Sequence, residues 1–288
     1  MLVGFFQSLP RGLAYRAGDA AAALGYILAR RQREVGLHNL RMALPGLSED
    51  ERRTIVRGVF RNLGRLLVEF SHFPALTPEN IGSLVEYEGF EHYLEARNRG
   101  RGVIFLTAHL GAWELSPLAH ALYGHPLKFL TRPIDNPRID ELITRFRTSA
   151  GNQVIRRTDS AREIIRALRS NESVGFLIDQ NTTRSEGVFV DFFGIPAATT
   201  TGVAAIALRT GAAVLPAFLR WEPERRRHVL HFDPPVDLVE TGNRDRDVEA
   251  NTERFNRILE RFVRQVPDQW LWIHKRWKTR PEGEQALY

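Results

Sequence analysis

The feature that most constrains this chain is a series of short apolar runs that alternate with helical patterns. The apolar runs lie at 103–109, 127–133, 173–180, 212–221 and 228–236. Several of them end in polar residues, as buried strands that lead into loops do. The helical patterns between them lie at 113–123, 138–150, 160–169 and 201–209. This alternation predicts an α/β domain with a mostly parallel central sheet flanked by helices. The polar alternation of 228–236 predicts an edge strand.

The first 80 residues have a helical pattern instead. Ser48 and Glu51 form the S-x-x-E pattern of a capping box, which predicts a helix from there to about Phe70. Its apolar residues recur at helical spacing, so one of its faces is buried. We therefore divide the chain into an N-terminal helical region, 1–80, and an α/β domain, 81–288. A last amphipathic helix is predicted over 244–265.

The N-terminal region also contains the most apolar segment of the chain. Residues 20–29 are apolar, but Arg16 and Asp19 precede them and Arg30 follows. A helix that spans a bilayer needs about 20 apolar residues, so this segment is too short to span one. Two interpretations remain open, an interfacial helix that lies on a membrane and a helix that packs on its own domain.

Charge and composition narrow the choice of partners. The net charge is +6 and the isoelectric point is about 10.0, and only three of the 40 basic residues are lysines. This excess favours an anionic partner, which is a nucleic acid, an anionic membrane surface or a phosphorylated substrate. The chain has no cysteine, which excludes disulfides, thiolate metal sites and a cysteine nucleophile.

The sharpest chemical pattern is His109 and Glu114, an H-x4-E at the end of the first predicted strand. Active sites of open α/β sheets favour that end of a strand. Five residues along a straight helix rotate by about 140°, so the two side chains meet only if His109 still lies in the turn. The carboxylate would then orient the ring, and the histidine would take a proton from a substrate hydroxyl. A structural histidine is the alternative, and the spacing does not suit a metal site.

Further polar groups follow two other predicted strands. Arg132 follows the second strand, and Arg147 lies on the helix after it. Guanidinium groups there would suit phosphates, but arginines on a solvated surface would give the same sequence pattern. Asp179 and Gln180 follow the third strand, and Arg184 comes soon after. These groups would fix a polar headgroup, while the aromatics at 189–193 line an apolar channel or fill the core.

The segment 267–278 interleaves three tryptophans with basic residues. This pattern suits a membrane interface or single-stranded nucleic acid. It also suits tryptophans that pack inside the domain.

Taken together, the motifs resemble those of the lipid A biosynthesis acyltransferases, within the glycerolipid acyltransferase-like superfamily. The resemblance covers nearly the whole chain. It rests on HNLRMALPGLSEDER (38–52), AHLGAWE (108–114), TRPIDNPRID (131–140), LIDQ (177–180), VFVDFFGIPAATTTG (188–202) and PDQWLWIHKRWKTRPEG (267–283).

The resemblance implies an enzyme that needs no cofactor or metal. It would transfer a fatty acyl chain from acyl carrier protein to a hydroxyl of a lipid A precursor, an anionic glycolipid. It would work on the cytoplasmic face of the bacterial inner membrane, with no nucleic acid as a partner. His109 would be the general base and Glu114 its orienting acid. The resemblance also assigns roles in activity or substrate contact to Arg132, Arg147, Asp179, Gln180 and Arg184.

Two alternatives stay open from the sequence. One is an acyltransferase of the same superfamily that acts on mannosylated phosphatidylinositol. The other is a non-catalytic, basic, lipid-binding protein. The chain departs from the family's usual pattern at its start, where Arg16 and Asp19 interrupt the apolar segment. We still expect this segment to associate with the membrane.

Overall fold

The computed structural model describes residues 2–131, 135–156 and 160–288. Its α-helices are α1 Leu2–Gln7, α2 Arg11–Leu28, α3 Arg30–Ala43, α4 Glu49–His72, α5 Phe90–Asn98, α6 Leu115–Leu122, α7 Pro137–Thr148, α8 Ser160–Arg169, α9 Gly202–Thr210 and α10 Arg244–Gln265. Its strands are β1 Val85–Glu88, β2 Val103–Thr107, β3 Lys128–Thr131, β4 Gln153–Arg156, β5 Ser173–Leu177, β6 Gly187–Phe192, β7 Ile195–Thr200, β8 Ala213–Glu222 and β9 Arg227–Phe232.

Seven of these strands form one sheet in the order β1-β9-β8-β2-β5-β3-β4. Neighbouring strands run parallel except for β8 and β9, which are antiparallel. Strands β6 and β7 form a separate antiparallel hairpin. The predicted α/β class with a mostly parallel central sheet is therefore confirmed.

The prediction that 228–236 forms an edge strand was wrong. Strand β9 lies between β1 and β8, and its residues Val229 and Leu230 are buried. Its neighbour β1 was not predicted, because its sequence VEYE contains no apolar run. Strand β4 and the hairpin strands were not predicted either.

Helix α4 begins with the capping box that the sequence predicts. The Ser48 hydroxyl accepts from the Glu51 backbone N–H, and the Glu51 carboxylate accepts from the Ser48 backbone N–H. Helix α2 packs closely on α4 where two glycines face each other. A Cβ atom at Gly64 would lie 2.5 Å from the carbonyl oxygen of Gly18, so the two backbones are in contact there.

A buried carboxylate also ties these helices to the sheet. Glu69 of α4 accepts hydrogen bonds from Arg11 (2.8 Å), from the Tyr15 hydroxyl and from His228 Nε2 of β9 (3.0 Å). Burial acts to raise the pKa of Glu69, but His228, Arg11 and Tyr15 outweigh it and lower the pKa to about 2. The N-terminal helices are thus joined to the sheet by an ionised group with no exposure to solvent.

The side of α2 opposite α4 exposes apolar side chains. Leu24, Ile27 and Leu28 are 56%, 65% and 71% exposed, and Phe5 of α1 is 53% exposed. Within the residues that the structure describes, no helix combines the length and apolar character needed to cross a membrane.

Candidate active site

The register of the sheet brings two polar side chains together at its carboxyl edge. Strands β2 and β5 are parallel neighbours, and their last residues, Thr107 and Leu177, are paired. His109 and Asp179 each lie two residues beyond that pair. Two residues that are 70 positions apart in the sequence therefore meet.

Asp179 holds the His109 ring through its carboxylate. Asp179 Oδ1 lies 2.8 Å from His109 Nδ1, and Oδ2 accepts from the His109 backbone N–H (3.0 Å) and from the Trp270 indole N–H (2.9 Å). Burial acts to lower the pKa of His109, but the charge and hydrogen bond of Asp179 outweigh it, so this pKa is raised. The carboxylate itself is buried, and His109 together with Trp270 holds its pKa below the ordinary value despite that burial.

The expected contact between His109 and Glu114 is absent, and Asp179 takes that place. Glu114 precedes the first residue of α6 and faces α7. There its carboxylate binds Arg147 through two parallel hydrogen bonds, from Nε to Oε2 (2.8 Å) and from Nη2 to Oε1 (2.5 Å). The charge of Glu114 still contributes to raising the pKa of His109.

The second ring nitrogen of His109 faces Gln180. Because Nδ1 is directed at Asp179, the Nδ1–H tautomer leaves a lone pair on Nε2. The Gln180 side-chain nitrogen lies 3.2 Å from Nε2 and donates to it. The His109 side chain is 20% exposed.

The remaining predicted residues lie elsewhere or outside the described residues. Arg184 donates to the backbone carbonyls of Arg280 (3.0 Å) and Pro281 (3.3 Å), and so holds the C-terminal segment. Arg132 falls outside the described residues. Phe192 and Phe193 are buried in the main core. Of the two interpretations of the aromatic stretch, they support the one in which the aromatics fill the core.

The C-terminal tryptophans are buried, and Trp270 lies next to the His109–Asp179 pair. Trp270, Trp272 and Trp277 are at most 1% exposed, so the interpretations as interfacial or base-stacking aromatics were wrong. The backbone N–H of Leu271 donates to the carbonyl of His109 at 3.1 Å. Sequence reasoning did not predict that Trp270 would bind the Asp179 carboxylate.

An apolar pocket that is open at one end lies beside this site. Trp113, Glu114, Arg147 and Leu177 line its mouth, and the Trp113 ring lies 5.3 Å from the His109 ring. Buried side chains close its inner end, among them Phe105, His120 and Phe232. Burial lowers the pKa of His120 to about 3, so this imidazole is neutral and suits an apolar wall.

Fold and site together define a class of protein. It is an α/β protein with a histidine oriented by a carboxylate at the carboxyl edge of its sheet, next to an apolar pocket. Such a site can take a proton from a hydroxyl while an apolar group is held nearby.

Comparison with known proteins shows the family to which this chain belongs. A family model described as bacterial lipid A biosynthesis acyltransferase matches residues 2–279. The chain is 30% identical to the lipid A biosynthesis lauroyltransferase of Escherichia coli K12, over 97% of this chain and 90% of that protein. It is 28% identical to the lipid A biosynthesis palmitoleoyltransferase of the same strain, over 97% of this chain and 90% of that protein. It is 29% identical to the myristoyltransferase, over 95% of this chain and 82% of that protein. The chain belongs to the lipid A biosynthesis acyltransferase family and is an acyltransferase.

Proposed function

We propose that this protein moves a fatty acyl chain from an acyl carrier protein thioester to a hydroxyl of a lipid A precursor. The observation that carries the proposal is the His109–Asp179 pair beside an apolar pocket. The names of the relatives support it, since lauroyl, palmitoleoyl and myristoyl groups are apolar chains and the pocket has an apolar lining.

In the proposed reaction His109 is the general base. Nε2 takes the proton of the acceptor hydroxyl as the hydroxyl oxygen attacks the thioester carbonyl carbon. The tetrahedral adduct then collapses, the carbon–sulfur bond breaks, and the departing thiolate takes the proton back from Nε2. Asp179 stabilises the imidazolium and fixes the tautomer, and no covalent enzyme intermediate is needed.

Glu114 and Arg147 have a different role in this proposal. Their ion pair lies on the pocket wall beside the base, with both side chains 20% exposed. A guanidinium fixed in this way can meet an anionic or developing oxyanion oxygen without reorganising. The backbone N–H groups of His109, Gly111 and Ala112 donate to Asp179, Gln269 and Leu219, so they do not supply that role.

We further propose that the protein lies on the cytoplasmic face of the bacterial inner membrane through α1 and α2. The exposed Leu24, Ile27 and Leu28 precede Arg30 and Arg31, which are also exposed. Apolar side chains beside cations suit the headgroup layer of an anionic bilayer. Vesicle flotation tests this: changing the three apolar residues to Ser should abolish binding to anionic vesicles. Leu94→Ser on α5, a matched exposed leucine, should bind like the wild type.

A substrate matrix tests the proposed reaction. Purified protein is offered acyl carrier protein thioesters with either a lipid A precursor or a mannosylated phosphatidylinositol. Transfer to the lipid A precursor is expected. Transfer to the phosphatidylinositol alone would support the proposed acyl transfer but contradict the lipid A precursor as its acceptor. Binding of lipid without any transfer would indicate a lipid-binding protein.

A further inference from the structure

Gly175 leaves a gap in one wall of the apolar pocket. It lies in the middle of β5, paired with Phe105 of β2 on one side and with Phe129 of β3 on the other. Both phenylalanines and Gly175 line the pocket. Three neighbouring strands therefore present a ring, a bare backbone and a ring to the same space.

The packing of the protein does not require a glycine at this position. A Cβ atom built there would lie 3.6 Å from Leu127 Cδ1 and 3.9 Å from Phe129 Cβ, which is ordinary contact. Gly111 differs, since a Cβ atom there would lie 1.9 Å from the carbonyl oxygen of Leu219. Glycine inside a strand weakens the strand, and it often marks a place where a ligand passes close to the backbone.

We propose that Gly175 determines the length of acyl chain that the enzyme accepts, an inference that rests on the proposed acyl transfer. Gly175 lies two residues before Leu177 at the mouth, which is about 7 Å further in along the strand. The chain would pass over the bare backbone between the two rings and reach the inner end at His120 and Phe232. A side chain at position 175 would occupy the path of the distal carbons and leave the proximal ones free.

Gly175→Val tests this, with Gly175→Ala as a milder variant. Binding of saturated fatty acids from octanoate to palmitate is measured by calorimetry, and transfer is measured with carrier protein thioesters of the same lengths. Valine should weaken binding and transfer of the longest chains at least about tenfold, the range in which apolar pockets discriminate, while the shortest chains change little. Alanine should give an intermediate profile. Gly46→Val is the matched control, because a Cβ atom at Gly46 has no neighbour within 4 Å.

The inference is overturned if folded Gly175→Val keeps the wild-type length profile, or if it loses all lengths equally. Should the valine variant fail to fold, Gly175→Ala decides the matter by the same criterion. The two measurements separate the inference from the proposed function. A length profile of fatty acid binding that shifts in the variants supports the role of Gly175, even if the wild type transfers no acyl chain and the proposed function fails.

Discussion

At the residue scale, the base character of His109 depends on Asp179. The Asp179 carboxylate accepts three hydrogen bonds, and two of them come from His109 itself. It fixes which nitrogen carries the proton and raises the pKa of the ring above its ordinary value of 6.5. A base must be neutral to accept a proton, so activity should rise with pH through this raised pKa.

Asp179→Asn should change both the rate and its pH dependence. The amide removes the charge that raises the pKa of His109, so the rising limb of kcat against pH should move to lower pH. We expect kcat to fall by about 10²–10⁴, the range typical of a positioned base. A pH–rate profile under saturating substrate checks this, with Asp245→Asn, an exposed aspartate on α10, as the control. A rising limb at the same pH as in the wild type would contradict the assignment of Asp179 as the group that raises the pKa of His109.

Gln180→Ala should increase wasteful hydrolysis. Until an acceptor hydroxyl displaces it, the Gln180 amide occupies the Nε2 lone pair, which would otherwise activate water. Loss of one hydrogen bond of about 0.5–1.5 kcal/mol should speed thioester hydrolysis without acceptor by roughly 2- to 10-fold. Release of free carrier thiol measures it, with exposed Gln32→Ala as the control. Unchanged or slower hydrolysis would contradict this role.

At the element scale, the attachment of α2 and α4 to the sheet depends on buried polar and backbone contacts. Glu69→Gln would leave Arg11 and His228 without their carboxylate. Breaking a buried ion pair from one side costs about 3–5 kcal/mol, so the free energy of unfolding should fall by that amount near neutral pH.

The pH dependence of stability checks the same group. The folded pKa of Glu69, about 2, is below its ordinary 4.5, so its contribution is present above pH 4.5 and is lost as the pH falls towards 2. Denaturant unfolding across this range should show a steeper loss for the wild type than for Glu69→Gln. Exposed Glu249→Gln is the control, and equal slopes for wild type and Glu69→Gln would contradict the prediction.

Gly64→Val tests the contact between α2 and α4. Its Cβ would lie 2.5 Å from a backbone oxygen of α2, so the helices must separate. We expect a loss of about 1–3 kcal/mol in the free energy of unfolding. Gly12→Val, where a Cβ has no neighbour within 4 Å, should cost much less of this free energy, and it shares the change in helix propensity from glycine to valine. Equal losses for both variants would contradict the close packing.

The same scale shows what the sequence could predict. The helices at 160–169 and 244–265 have the predicted bounds, because an amphipathic pattern indicates a helix whatever the helix packs against. Strands β1 and β4 have only four residues each, too few for a periodic signal. The partner of His109 was not predictable because it depends on the register of β2 against β5, which no local pattern encodes.

At the scale of the whole molecule, one sheet organises the proposed function. Its carboxyl edge brings His109 and Asp179 together, and one of its faces forms the apolar pocket. The N-terminal helices α1 and α2 expose the apolar residues that we propose meet the membrane. One molecule would then provide the base, hold the acyl chain and bind the membrane surface.

The most direct test of the central claim is single-turnover acyl transfer to a lipid A precursor, with wild type, His109→Ala and Asp179→Asn at equal, saturating protein. The wild type should transfer the chain, His109→Ala should be slower by about 10²–10⁴, and Asp179→Asn should be impaired to a similar degree. Transfer by folded His109→Ala at the wild-type rate would contradict the assignment of His109 as the base.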